Sequence, residues 1–424
     1  MRKRDIEAFI RLRKEKSQKR RKSRAKALKQ IPAKALLDLL PKAEMEAIAE
    51  DVGVDHQVKH LYGPLLVQLF ILGILENKDD SLSSLTRLYN SQEFSVFSGK
   101  GGHQTAKSSL SDRFSKINCA YFERLYEAYV SALQSKYGKR LNKEMAWLTR
   151  YDSTMLALSA SLTQIGMRVG ARPKKGQGKV QIKVSLGLKG LLPSSLKIFH
   201  EQSKLSEDRA LKEVIETEAV DPQGVITFDM GLKKRQTFKE FSQKGRFFVT
   251  RLHQPRFKQL ATHRYIKGRK NGKLQFLSDD IVYLYSSGNK DSLVKQEFRL
   301  IQAKCVQGQN AGKTFFFLTN LLDLTAFEIA DIYLRRWDIE IFFRFLKQQV
   351  GLTHLLSTKE NGIKAVIYLR ILVGTMIWVF AHLNKRTDYK GLKDQFFWEI
   401  RNQISMLQAK ILIDSGDVKP NLSG

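Results

Sequence analysis

The chain has 424 residues, a formal net charge of +31 and 42% apolar residues. That length exceeds one typical core and implies about two to four domains, while the charge implies a polyanionic partner, nucleic acid or an anionic membrane surface. The two cysteines, Cys119 and Cys305, form no metal pattern and suggest a reduced compartment, and no run reaches the roughly 18 to 20 apolar residues of a membrane span.

The chain begins MRKRD, without the apolar segment of a secretion signal. Residues 1–32 form a basic arm that includes Lys19-Arg20-Arg21-Lys22. Two readings fit it, a solubilising arm or one that neutralises DNA phosphates. Residues 33–140 show helical spacing in ALLDLL, PLLVQLFILGIL, SLSSLTRLY, SSLSDRFSKI and YFERLYEAYVSAL. A glycine-rich stretch, FSGKGGHQTAK, separates two of them. The helix with Lys107, Ser108, Ser111 and Arg113 suits a helix-turn-helix variant, which makes this a candidate DNA-binding domain; a plain helical bundle fits the pattern too.

The pattern then switches to strands. Residues 141–252 hold AWLTRYDSTMLALSA, VQIKVSLGL, SLKIFHEQ and VITFDMGL, then a helix QTFKEFSQKG and a strand RFFVTRL. That order belongs to an α/β layer fold. Residues 253–312 read as a β-rich insertion, with short strands split by GRKNGK and GQNAGK. Residues 313–350 resume the core with FFFLTNL and a long helix, whose start is marked by the capping box of Thr325 and Glu328. Residues 351–424 are helical and apolar and offer a candidate dimerisation region. Their stretch Ile371 to Leu383 reads as a buried core helix.

On that long helix Tyr333, Arg336, Glu340 and Lys347 have the spacing Y-x2-R-x3-E-x6-K. At a helical turn they fall at about 0°, −60°, −20° and −40°, one narrow polar stripe. Arg344, at about 20°, joins it by geometry. The stripe suits a site that holds a divalent metal and grips phosphates; it also suits a solvated face with an Arg336–Glu340 pair. Asp152 interrupts an apolar strand, where a carboxylate is costly unless paired or bound to a cation. Asp229 ends a strand, where an Asp also commonly starts a turn. Carboxylates from two strands and a late helix suit Mg²⁺, and two such ions activate the attacking and leaving oxygens of a phosphodiester. The eight histidines have no HExxH spacing, which disfavours a zinc hydrolase.

The signature at Tyr333, Arg336, Glu340 and Lys347, with YDST around Asp152 and ITFDMG around Asp229, resembles the DDE transposases of bacterial insertion sequences. The resemblance covers residues 140 to 350. It implies an RNase H-like core, a mixed sheet flanked by helices, with helical regions on either side. It also implies a triad of Asp152, Asp229 and Glu340 holding two Mg²⁺ or Mn²⁺ ions, with Tyr333, Arg336 and Lys347 on the phosphates of the element end. The expected activity is cleavage at terminal inverted repeats and transfer of the 3′-OH to target DNA. The expected partners are double-stranded DNA and a second subunit in a synaptic complex, with no membrane, in the bacterial cytoplasm on the nucleoid. Two other readings stay open, an RNase H-like nuclease without strand transfer and an inactive DNA-binding protein. Lys183 and Val184 stand where many relatives have a histidine nearby, and Trp337 reads as helix packing.

Overall fold

A computed structural model of the chain describes residues 30–76, 81–142, 145–159, 162, 165–169, 179–289, 291–386 and 391–414. All but the last three residues of the basic arm lie outside these ranges. The helical stretch folds as α1 (Lys34–Leu37), α2 (Lys42–Val52), α3 (Gly63–Glu76), α4 (Leu82–Tyr89), α5 (Gln92–Ser98), α6 (Lys107–Lys116) and α7 (Ala120–Leu141). Local chemistry marks several ends. Ser81 and Ser91 accept the backbone N–H groups of Ser84 and Phe94 and so cap α4 and α5. Gly53 and Gly99 close α2 and α5 at φ of 67° and 66°, a left-handed conformation that glycine adopts without strain.

The strands are β1 (Leu148–Leu158), β2 (Met167–Val169), β3 (Lys179–Lys189), β4 (Leu192–Phe199), β5 (Val225–Phe228), β6 (Phe247–Leu252), β7 (Phe257–Thr262), β8 (Lys270–Asn271), β9 (Leu274–Tyr285), β10 (Leu293–Cys305) and β11 (Thr314–Thr319). Five of them run in the spatial order β4-β3-β1-β5-β6. β3 is antiparallel to β1 and β4, while β5 is parallel to β1 and β6. A β-meander continued by two parallel crossovers is the RNase H-like arrangement. β11 then pairs antiparallel with β6, and β10, β9 and β7 follow. The strands between residues 253 and 312 thus prolong the core sheet. Arg299 and Asp279, both fully buried, join β10 to β9 through two bonds of 2.7 Å, and Arg299 also donates to the carbonyls of Leu321 and Leu324 just ahead of the next helix.

The sheet is covered on both faces. On one lie α8 (Glu207–Thr217), packed on β1, β3 and β4, and α9 (Arg235–Gln243), packed on β6 and β10. On the other lie α10 (Ala326–Leu334), against β5, β6 and β11, and α11 (Trp337–Gln349), against β1. α8 has no counterpart among the sequence-based expectations. Its signal is nevertheless present: Ser206 caps it, acids fill its first turn, and Ala210, Leu211, Val214 and Ile215 make its buried stripe.

The expected single helix from Thr325 is two helices. Its capping box is formed as expected, with Thr325 and Glu328 each accepting the other's backbone N–H. The break comes at Arg335 and Arg336. There Arg336 N–H bonds to Tyr333 O at 3.0 Å and Ile339 N–H to Arg336 O at 3.2 Å, bonds that span three residues and tighten the turn. Two buried arginine contacts, described below, hold the joint in this form. The C-terminal region is α12 (Glu360–Leu383) and α13 (Leu392–Asp414). α12 starts at Glu360, ahead of the expected Ile371. By length and composition alone it would pass as a membrane span, yet nearly all of it is buried among α3, α6, α7 and α11. Helices from both ends of the chain therefore share one core, which also takes in Ile339, Phe342, Phe345 and Leu346 of α11.

Candidate active site

Side chains of β1 alternate between the two faces of the sheet. Tyr151 and Ser153 face α8; Tyr151 packs with Ala210 and Leu211, and Ser153 bonds to Glu207. Arg150 and Asp152 face α11. The parallel register of β1 with β5 ends at Tyr151 opposite Phe228. Asp152 and Asp229 are each the next residue on neighbouring chains, where strand spacing is about 4.8 Å. Since Phe228 belongs to the α8 side, Asp229 shares the face of Asp152.

Glu340 enters from the first turn of α11. Arg336, at the joint of α10 and α11, links the set. Its Nη2 lies 2.5 Å from Glu340 Oε1 and its Nη1 3.9 Å from Asp152 Oδ2. Burial pulls the Arg336 guanidinium down in pKa, but Tyr333, Asp229, Glu340 and Asp152 around it hold it above its ordinary value. Asp152 moves the other way. Burial raises its carboxyl, Asp229 and Glu340 raise it further, the Ser153 N–H and Arg336 oppose, and it ends at about 7. The structure thus gathers Asp152, Asp229 and Glu340 around one guanidinium.

Tyr333 is buried at the end of α10, with Arg336 5.5 Å from its ring centre. Its phenol is raised in pKa by burial. Lys347 is half-buried and Arg344 exposed, further along α11, and neither makes an ion pair among the described residues. Trp337 departs from the packing role expected of it: half of its surface is exposed on the first turn of α11.

Three residues important to the geometry carry no motif. Arg150 is completely buried. It donates Nε and Nη2 to Leu188 O and Nη1 to Asp338 Oδ2 at 3.0 Å, and burial lowers its pKa to about 10 against the pull of Asp338. Arg150 precedes Asp152 by two residues and Asp338 precedes Glu340 by two, so this pair ties the strand of one carboxylate to the helix of the other. The third is Arg251 on β6. Its guanidinium lies 4.8 Å from the Phe315 ring and 5.7 Å from the Tyr333 ring, within 3.9 Å of Met230 Sδ, and it pairs with no carboxylate among the described residues. A strand pattern read for face and period does not report which basic residue will border a site.

Among the described residues no three His, Cys, Asp or Glu side chains already stand in position to hold a metal ion. The donor chemistry nevertheless fits a hard divalent cation. It consists of carboxylate oxygens, and one carboxyl is raised to about 7 by burial and by the two carboxylates beside it. Arg336 supplies a positive charge among them.

Several known proteins resemble this chain. The family model described as the transposase DDE domain matches residues 152–376. A protein of Sinorhizobium fredii named as the transposase y4zB is 26% identical over 171 residues, 40% of this chain and 46% of that protein. A protein of Synechocystis sp. named as the transposase for insertion sequence element IS4SA is 23% identical over 268 residues, 61% of this chain and 68% of that one. The chain therefore spans about half the length of the first of these relatives. The cryo-EM structure of the piggyBac transposase synaptic complex with hairpin DNA has a TM-score of 0.45 and 9% identity, covering 92% of this chain and 83% of that one. With the family model matched over just over half of its 424 residues, the chain belongs to the family of transposases with a DDE domain.

Proposed function

We propose that the chain is the transposase of an insertion sequence, binding terminal inverted repeats, cleaving at the element ends and transferring the freed 3′-OH to target DNA. The observation that carries this reading is the convergence of Asp152, Asp229 and Glu340 on Arg336, with Asp152 raised in pKa by burial and by the other two. These three would hold two Mg²⁺ or Mn²⁺ ions, which when bound supply activation of the attacking oxygen and stabilisation of the leaving one. The family as a whole uses divalent metal ions.

The remaining residues divide by what they face. Arg336 now neutralises Glu340; once cations satisfy the carboxylates, its planar guanidinium is free to take a phosphate in two bonds. Lys347 and Arg344 extend the cationic line along α11, and Tyr333 supports Arg336 from below through its ring. Arg251 adds a fourth cation beside Tyr333. Double-stranded DNA is the partner that the +31 charge suits, and two subunits would bring two ends together in a synaptic complex on the bacterial nucleoid. The exposed Trp398, Met406 and Leu407 of α13 offer surface for such a contact.

The test is cleavage of DNA carrying the element's own inverted repeats, followed by joining of the cut end to a target plasmid. The wild type should do both with Mg²⁺, and Asp152→Ala or Glu340→Ala should do neither. Full metal-dependent cutting by either variant refutes the site. Cutting without joining assigns the chain to the nuclease reading.

A further inference from the structure

The loop that presents Asp229 is held from the opposite face of the sheet. Asp208 Oδ1, in the first turn of α8, accepts the backbone N–H of Lys233 at 2.6 Å and of Lys234 at 2.7 Å. Its neighbour Glu207 lies against the same loop, since a Cβ placed on Gly231 would come within 2.9 Å of Glu207 Cγ. Glu207 is anchored in turn. Its Oε1 accepts from the buried Lys183 Nζ at 2.8 Å and its Oε2 from Ser153 Oγ at 2.8 Å, while Ser153 Oγ and Ser185 Oγ stand 2.7 Å apart. A chain of contacts therefore runs from Ser153, the residue after Asp152, through the start of α8 to residues 231–234, just past Asp229.

We propose that Asp208 is a positioning residue for Asp229: by accepting two backbone N–H groups it fixes the loop that sets Asp229 beside Asp152. The inference rests on the reading of Asp152, Asp229 and Glu340 as a divalent-cation site. A carboxylate beyond a strand end has no sheet bonds to hold it. Residues 229–234 have one short turn bond of their own, Leu232 N–H to Asp229 O at 3.4 Å, which is long for such a bond. The two bonds to Asp208 are shorter, and being charge-assisted they are stronger. Asp208 touches none of the reacting groups; its effect reaches the site through the backbone. Removing such a support characteristically lowers metal affinity by about 10- to 100-fold.

The experiment follows thermal unfolding of the full chain against Mn²⁺ concentration for the wild type, Asp208→Ala, Asp208→Asn and Asp152→Ala, with cleavage rates measured at saturating Mn²⁺. Asp208→Ala should raise the Mn²⁺ midpoint about tenfold and keep most of the saturated rate. Asp208→Asn should fall between the wild type and Asp208→Ala, because its carbonyl oxygen still accepts both N–H groups, more weakly once the charge is gone. An unchanged midpoint in Asp208→Ala overturns the proposal. So does an Asn variant as weak as the Ala variant, which would make the effect one of charge. Lys234→Pro is the second probe should Asp208→Ala not fold: Lys234 already has the φ of −65° that proline requires, and the ring both removes one of the two donors and pushes Asp208 Oδ1 away from the loop. A wild-type midpoint there also overturns the proposal. The Asp152→Ala protein separates the two levels, since wild-type Mn²⁺ binding in that variant would refute the cation site itself.

Discussion

Replacing Asp152 by asparagine should stabilise the metal-free protein at neutral and higher pH while abolishing cleavage. The carboxyl of Asp152 titrates at about 7 in the folded protein against an ordinary 3.8. The folded state therefore holds this proton more tightly than the unfolded chain does. The stabilisation is fully present below about pH 3.8 and is lost as pH rises through about 7. Taken whole, that loss is about 4 kcal/mol. The side chain keeps 21% of its surface exposed, and solvent screening brings the scale down to about 2 kcal/mol. Asparagine has no charge to bury, and its Oδ1 can still accept the Ser153 N–H that Asp152 now accepts at 2.9 Å.

Thermal unfolding in a chelator, from about pH 4 to pH 8, reads the difference directly. The two proteins should unfold together near pH 4. By pH 8 the variant should lead by about 2 to 4 °C, at about 1 °C per kcal/mol for a chain of this size. Added Mg²⁺ should raise the wild type and leave the variant where it was. A gap that does not change with pH, or a variant less stable than the wild type at pH 8, refutes the claim that a buried charge is stored at Asp152.

Three further outcomes follow from other contacts. Asp338→Ala leaves the buried Arg150 without its carboxylate and should cost about 3 kcal/mol in chemical denaturation, whereas a loss below about 1 kcal/mol would show that Leu188 O suffices. Lys347→Ala should weaken DNA binding and flatten the plot of log affinity against log salt by about one unit of slope; an unchanged slope places Lys347 off the phosphates. Gly374→Ala puts a methyl 2.1 Å from Leu346 Cδ2 where α12 crosses α11, and Leu346 is fully buried with little room to retreat, so a loss of about 1 to 3 kcal/mol is expected on denaturation. A neutral Gly374→Ala would mean that α12 slides to make space.

Much of the core could be read from period and composition. β1, β3, β5 and β6 announce themselves as apolar runs, and the Thr325–Glu328 capping box marks a helix start that the structure keeps. The chemistry at Asp152 could be suspected because a carboxylate stood where an apolar strand should be dry. Register could not be read. Nothing local tells that Tyr151 lies opposite Phe228, yet that pairing sets Asp152 level with Asp229. The break at Arg336 was invisible for a related reason. Helical period runs smoothly through Tyr333, Arg336 and Glu340, and only the tertiary pull on two arginines tightens the turn there. The cap and apolar stripe of α8 are ordinary, but the strands on either side mask its change of period from two to nearly four.

The Arg150–Asp338 pair carries geometry that the period of the sequence does not encode. Parallel pairing of β1 with β5 fixes the two aspartates relative to each other, but Glu340 arrives on a helix held to β1 otherwise by apolar packing, which tolerates sliding, and by the long Arg336–Asp152 contact. A fully buried guanidinium with three directed donors removes that freedom, two residues before each carboxylate. Buried ion pairs contribute little net stability over an apolar pair of the same volume, but they specify geometry where apolar contacts tolerate sliding. The double variant Arg150→Met with Asp338→Leu separates the two roles. It should recover most of the stability lost in Asp338→Ala on denaturation while its metal-dependent cleavage stays well below wild type. A double variant that both folds and cuts like the wild type would show that packing alone places Glu340.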